Sequence, residues 1–288
     1  MTVPKAEPEA VDRRSLHERI AADLRDDIMS GELAPGANLP TTAQLKERFG
    51  ASSATVQKAL RLLKEELLVV GRAGAAVTVR AHRRRTVRPA DLARPAEPGT
   101  PYRWLTEAAK HGTHARTELL EVAERRPPAD VRAALDLPTD GAALLRSQIL
   151  LVDDEPAELV ESYYPLDIAR GTPLAERRRI RGGAPALLTE LGHPPRLSTD
   201  RVCARVPTQH QYQALRLTGG MPVLRTLRVV RGDDGRPVEV TVMVKAGHLY
   251  ELQYEFTSQE RQERQERQER QERQEPEEPQ EPQEPDGS

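Results

Sequence analysis

Between Leu39 and Val79 the chain reads LPTTAQLKERFGASSATVQKALRLLKEELLVVGRAGAAVTV. Its capping residues and apolar spacing fit helix, tight turn, helix and β-hairpin. Thr41 or Thr42 caps a helix that carries Leu45 and Phe49 and closes at Gly50. Ser52 caps the next helix. Its inner face is Val56, Ala59 with Leu60, Leu63 and Leu67, the spacing of one helical stripe. Leu68–Val70 and Val77–Arg80 then flank Arg72-Ala73-Gly74 as the two strands of a wing. Upstream, Ser15 and Glu18 form a capping box. Leu16, Ile20, Leu24 and Ile28 follow at i+4 spacing, and Ser30-Gly31 ends that helix.

The charge of this region is lopsided. From Lys46 to Arg88 there are eleven Lys/Arg against three acids, a local +8 in a chain of formal net charge −2. Residues 258–288 carry eleven acids and five arginines, so the other 257 residues sum to +4. A basic head opposed to an acidic tail points to nucleic acid. With Val56, Leu60 and Leu63 inward, the second helix of the pair turns Ser52, Ser53, Thr55 and Gln57 outward. Lys58, Arg61 and Lys64 follow further along. Short polar side chains let a helix sit deep in the major groove, where Gln57 fits an adenine edge. The basic residues suit phosphates, which position a protein without specifying sequence. Thr41 at the neighbouring cap, and Arg72 and Gly74 in the wing, complete the expected double-stranded DNA contacts. The ordinary alternative is a solvated helix face; caps, turn, wing and charge together favour DNA.

Hydrophobic residues make up 37% of the 288, aromatics only 3%, so the core must be aliphatic. No apolar run approaches the roughly 18 residues of a membrane span. The N-terminus MTVPKAEPEAVDRR lacks the apolar stretch of a signal peptide, and a cytoplasmic protein is expected. Cys203 is the only cysteine, which excludes an intrachain disulfide and a cysteine zinc cluster. It sits in the alternating run RVCARV and reads as a small buried or half-buried residue. His111, His114, His193, His210 and His248 are scattered, with no Ser/His/Asp set and no metal-ligand spacing. Neither catalytic residues nor metal or cofactor are expected.

The organisation follows. Residues 1–12 are polar and expected to be disordered, and 13–80 form the head. Residues 81–100, with Arg83-Arg84-Arg85 and then Pro89, Pro95 and Pro98, read as a linker. Residues 101–257 contain an internal repeat at an offset of about 80. Pro128–Leu137 resembles Thr208–Leu217. Each is followed by a glycine turn, a strand (Ala143–Val152 and Val223–Val230), a second turn ending in Pro156 or Pro237, and another strand. Helix plus hairpin, twice, predicts an α+β domain with a mostly antiparallel sheet. One copy cannot bury its sheet face by itself, so the copies should share a core, and clefts form where repeats abut. Arg146 and Arg225 are expected at equivalent points of the copies. Residues 258–288 are a low-complexity acidic tail with five Gln-Glu-Arg repeats, expected as a marginal solvated helix and then disorder.

Residues 15–80 resemble the winged helix-turn-helix of the GntR regulators. The match rests on Ser30-Gly-Glu-Leu-Ala-Pro-Gly36, Leu39-Pro40, Leu45-Lys-Glu-Arg-Phe-Gly50, Ser52, Thr55-Val56 and Ala59-Leu60. Residues 101–257 resemble the effector-binding (UTRA) domain of the HutC-type branch, through Glu161-Ser-Tyr-Tyr-Pro165, Ile168-Ala-Arg-Gly-Thr-Pro173, Glu190-Leu-Gly192, Arg205-Val-Pro-Thr208 and Pro237-Val-Glu239. The resemblance implies a chorismate-lyase-like antiparallel-sheet domain that binds a small-molecule effector and dimerises, with two heads on a pseudo-palindromic operator. It implies a transcription regulator, in the first instance a repressor. Arg146, Ser162, Arg205, Glu239 and Tyr250 are the effector-contact candidates from the matched segments. The sequence departs from the family at Ser53 and Gln57, where arginines are usual. In the wing, Gly74-Ala-Ala-Val-Thr-Val79 lacks the second glycine and the aromatic of G-x-G-T-F-V. These departures predict an operator unlike the family consensus. Two other classes are a regulator with degraded operator reading that acts through protein partners, and a lyase-like enzyme.

Overall fold

The computed structural model describes residues 12–71, 76–80, 85–89, 103–110, 114–247 and 249–256. The expectations for residues 1–11, Arg72, Gly74, most of 81–100, His111, His248 and the tail fall outside them.

The head opens with α1 (Leu16–Ser30), where Ser15 and Glu18 form the expected capping box, the Ser15 amide donating to the Glu18 carboxylate at 2.8 Å. Gly31, at φ 89°, ends it in the left-handed region that a Cβ disfavours. Thr41 caps α2 (Thr42–Phe49), and Ser52 caps α3 (Ser53–Glu65) by accepting from the Thr55 amide at 3.2 Å. Ile20, Leu24, Leu45, Val56 and Leu63 fill the space between the three helices, all at or near zero exposure. Arg25 clamps Glu66 through two hydrogen bonds of 2.8 and 2.6 Å, tying α1 to the end of α3. The apolar stripe of α3 stops one turn earlier than its spacing suggested. The helix ends at Glu65, Leu67 adopts φ +58°, and Leu68 instead of Leu67 enters the core. The reversal also aims the chain into the wing, where β1 (Val69–Val70) pairs antiparallel with β2 (Thr78–Val79).

Beyond the wing, the stretch expected as linker contains a strand. β3 (Arg85–Val87) pairs in parallel with β10 (Tyr250–Leu252), and Pro89 just after it is buried. Thr86 and Val87 are β-branched residues that favour an extended chain. The basic run before them and the prolines after them obscured that signal.

The second domain is a six-stranded antiparallel sheet in the order β4-β5-β6-β9-β8-β7. Its strands are β4 (Ala115–Arg125), β5 (Ala143–Val152), β6 (Glu155–Tyr164), β7 (Leu197–Arg205), β8 (Val223–Arg231) and β9 (Pro237–Ala246). The repeat is real and longer than the sequence suggested: β4, α5 (Ala129–Ala134), β5 and β6 recur as β7, α8 (Gln209–Ala214), β8 and β9. Both hairpins carry a register irregularity at the same point of the repeat, Leu150/Leu151 in one copy and Val230/Arg231 in the other. The second turn holds one extra residue, Gly235. Beyond it Pro156 corresponds to Pro237 and Glu158 to Glu239. β6 and β9, one from each copy, are the central pair, so an approximate two-fold axis runs between them.

β7 at one edge is largely exposed, whereas the four central strands are buried on both faces. On one, Leu145, Ile149, Leu159, Tyr163, Leu227 and Val242 pack under Val131 and Leu135 of the α5 region and Leu215 after α8. On the other lie two smaller clusters. One joins Leu144, Tyr164 and Val230 to Ile168 of α6 (Leu166–Ala169), Leu174, and Leu188 of α7 (Ala184–Glu190). The second joins Leu150, Val152 and Val160 to Tyr250 and to Trp104 of α4 (Arg103–Lys110). Cys203 is half-buried on β7. No helix of the described residues is long and apolar enough to cross a membrane.

Leu63 is fully buried at the centre of the head. Leu63→Ala should therefore destabilise the protein by about 2–5 kcal/mol in urea unfolding followed by helix signal. A loss below about 1 kcal/mol would show that α3 is not held by this core.

Candidate functional site

Two places gather the candidate functional side chains. The first is the outer face of α3. Burial of Val56, Ala59, Leu60 and Leu63 leaves Ser53, Gln57, Lys58, Arg61 and Lys64 exposed, with Ser52 exposed at the cap and Thr55 half-buried. Gln57 Nε2 donates to Thr42 Oγ1 at 3.2 Å, linking the start of α3 to the start of α2, which Thr41 caps. Lys58, Arg61 and Lys64 make no ion pair among the described residues, whereas Arg25 and Arg48 elsewhere in the head are paired with Glu66 and Asp27. The helix thus presents short polar groups at its N-terminal half and unneutralised cations behind them.

The second is a cavity of about 170 Å³ on the sheet face opposite α5 and α8. Strand alternation decides its lining. Arg146, Gln148 and Leu150 of β5 point into it, and so do their counterparts Thr226, Arg228 and Val230 of β8. The central strands contribute four rungs across the pseudo-axis: Tyr164 beside Glu239, Ser162 beside Thr241, Val160 beside Met243, and Glu158 beside Lys245. The cover comes from far along the chain. Val87 of β3, Pro89, Trp104 of α4, Leu252 of β10 and the segment leading into α7 all line the cavity.

The polar groups inside are hydrogen-bonded in a definite order. The Lys245 ammonium donates to Glu158, both side chains being almost wholly buried. Arg228 holds Asp200 of β7 through two bonds of 2.7 Å and also reaches the Pro89 carbonyl at 3.4 Å. The Tyr164 hydroxyl donates to Glu239 at 2.9 Å and the Thr241 hydroxyl donates to the same oxygen at 2.8 Å; Ser162 and Thr241 are 2.9 Å apart. Burial, reinforced by the charge of Glu239, holds the Tyr164 phenol well above its ordinary pKa, so it stays a donor. Arg146 Nη1 donates to the carbonyls of Leu174 and Glu176 at 2.6 and 2.8 Å, and Nη2 to that of Arg178 at 2.6 Å. Burial pushes this guanidinium below its ordinary pKa.

Of the effector-contact candidates, Arg146, Ser162 and Glu239 come together in this cavity. Arg205 lies exposed at the end of β7, and Tyr250 is buried among Trp104, Leu150 and Val160; neither lines it. Arg225 is not the counterpart of Arg146. With the copies aligned on their shared register irregularity, that place belongs to Thr226, and Arg225 points to the other face, where it pairs with Asp130 at 2.7 Å. Glu158, Tyr164, Asp200, Arg228 and Lys245 escaped the sequence reading. Alternation from Glu239 along β9, and the correspondence of Glu239 with Glu158 across the repeat, are the signals that point to them.

A winged head is thus joined to a sheet domain whose cavity sets charged and polar side chains among apolar ones. The family model described as "Bacterial regulatory proteins, gntR family" matches residues 16–79, and that of the UTRA domain matches residues 110–251. The chain thus joins a GntR-family helix-turn-helix head to a UTRA domain, and it is a transcriptional regulator. It is 28% identical over 257 residues to the HTH-type transcriptional regulator SCO4628 of Streptomyces coelicolor, covering 86% of this chain and 94% of that one. Over 70 residues, 24% of this chain and 29% of the other, it is 39% identical to the mannosyl-D-glycerate transport/metabolism system repressor MngR of Escherichia coli. Its fold resembles the crystal structure of a GntR-family transcriptional regulator (TM-score 0.57, 23% identity, 85% of this chain and 99% of that chain). PhnF of Mycobacterium smegmatis is also similar in fold (TM-score 0.52, 18% identity, 83% and 100%).

Removing one side of the buried Glu158–Lys245 pair strands a charge. Lys245→Ala should cost about 3–5 kcal/mol in urea unfolding, and Glu158→Gln combined with Lys245→Met much less. Equal losses for the two variants would contradict a paired charge at this point.

Proposed function

We propose that the protein is a homodimeric repressor, acting in the cytoplasm, that reads a pseudo-palindromic operator and whose hold on it changes when a small molecule enters the UTRA cavity. The observation that carries this reading is the outer face of α3, polar at its N-terminal half and bearing three cations that make no ion pair among the described residues. One such helix from each copy fits successive major grooves about 34 Å apart. Ser52, Ser53, Thr55 and Gln57 face base edges; Lys58 and Arg61, with Thr41 at the neighbouring cap, face the backbone. The head's likeness to MngR, which is named a repressor, supports the sign of the output. Arg146, Ser162 and Glu239 are the proposed effector contacts.

The cavity and the head share a stretch of chain. Val87 and Pro89, a few residues past the wing, are part of the cavity wall, and Arg80 at the end of the wing meets Glu155 of β6 at 3.0 Å. A ligand that moves the wall acts on the segment from which the head departs. Such coupling is typically worth about 1–3 kcal/mol.

The test is binding of the full chain to fluorescent duplexes from the DNA upstream of its own gene, over a salt series. Affinity should fall steeply with salt, and Lys58→Ala or Arg61→Ala should each lower the log–log slope by about one. Gln57→Ala should cost about 1–3 kcal/mol on the preferred site and little on random DNA. Binding that ignores salt, or that shows no preference for any palindromic site, would overturn the repressor reading.

A further inference from the structure

The two-fold repeat makes the two ends of the cavity counterparts, and their carboxylates are matched differently. At one end Glu158 of the first copy faces Lys245 of the second. At the other, Glu239 of the second copy faces Tyr164 of the first, and Tyr164 corresponds to Lys245. A phenol thus stands where the ammonium stands at the opposite end. The Glu158 end is a closed ion pair. Glu239 is 7% exposed and accepts only hydroxyl donors, both on Oε1. Among the described residues it meets no cation, and Oε2 accepts no hydrogen bond.

The same end holds a cation in the complementary condition. Arg146 pairs in register with Ser162, one rung from Tyr164. It is also 7% exposed, and its hydrogen-bond partners among the described residues are three backbone carbonyls. Of the five guanidinium N–H groups, Nε and one on Nη2 are left over. The half-buried Arg228 and the buried Lys245, the other inward cations of the cavity, are each matched to a carboxylate, and Arg179 at the edge is exposed. This end therefore offers one unmatched anion and one unmatched cation. They lie two strands and one rung apart, about 12 Å between backbones, a gap that their long side chains narrow from both sides. Buried charges in this condition call for opposite charges from a ligand. A dianion such as a sugar phosphate would set two negative charges against Glu239 and an arginine that has already committed three donors.

We propose that the effector is a small amphoteric molecule, with a cationic nitrogen on Glu239 and an anionic group on Arg146: an amino acid, or an amine-bearing carboxylate of similar size. This rests on the cavity being the effector site, and it specifies that site's ligand class.

The experiment uses the full-length protein in thermal-shift and calorimetric titrations. The probes are the α-amino acids and the ω-amino acids of two to six carbons, set against dicarboxylates, hexose phosphates and linear polyamines. At least one amphoteric probe should bind, and Glu239→Gln, which keeps the hydroxyl bonds, should weaken it about 10- to 100-fold. A second measurement needs no variant: the N-acetylated form of the same probe, stripped of its cation, should bind the wild-type protein weaker by a similar factor. Binding of hexose phosphates or dicarboxylates with no amphoteric binding, undiminished binding of the acetylated form, or no binding across the panel would each overturn the proposal. The salt-series DNA measurement on ligand-free protein is independent of these outcomes, so failure here is distinguishable from failure of the regulator reading.

Discussion

The antiparallel contact between β6 and β9 is the constraint on which the effector domain depends. Each hairpin, with its short helix, has a sheet face that it cannot cover. Joining the two along Glu158–Tyr163 and Val240–Lys245 makes one continuous sheet and one shared core. The same contact sets the functional side chains facing each other. Because alternate residues share a face, apolar residues of β9 such as Val240, Val242 and Val244 go to the helices, and Glu239, Thr241 and Lys245 go to the cavity. A one-residue slip in this register would exchange the two sets. Charged residues would then meet Val131 and Leu135, and valines would line the cavity.

The cavity is also where the halves of the protein become one physical system. Its floor is the repeat, but part of its cover is the chain arriving from the head. β3 is held by parallel pairing with β10, Pro89 is reached by Arg228, and Val87 and Trp104 complete the wall. Arg228 is held by Asp200, so an edge strand, the floor and the incoming segment are linked by a single guanidinium. A polar network of this kind has few arrangements that keep every member satisfied, which suits it to two discrete states better than to gradual deformation. On the proposed reading, the ligand chooses between such states, and the head senses the choice through a few residues of chain.

Much of this was legible in the sequence, for identifiable reasons. Helix ends are written locally: Thr41 and Ser52 announce their caps, and Gly31 and Gly50 their exits. The repeat was legible because its turns share prolines and acidic residues. The obscured parts were non-local. β3 is a very short strand, and its partner β10 comes only after the whole six-stranded sheet has been laid down, so no local pattern announces the pairing. Lys245 reads as an ordinary strand residue until the β6–β9 register sets it against Glu158. The sequence offset also misled at Arg225. Alignment by residue type matched arginine to arginine, whereas the shared register irregularity matches Arg146 to Thr226. The candidates that line the cavity came from the central strands; Arg205 and Tyr250 came from segments outside the central ladder.

The central claim is that head and cavity are coupled through β3 and β10, and coupling of binding free energies is reciprocal. It can therefore be read from the DNA side without knowing the effector. Hydrogen–deuterium exchange of the full chain, with and without a tightly bound upstream duplex, is the direct measurement. Coupling predicts altered exchange at residues 85–87 and 250–252 and in the cavity-facing strands, beyond the protection of α3. Protection confined to residues 13–80, with the rest of the chain exchanging as in the free protein, would contradict it.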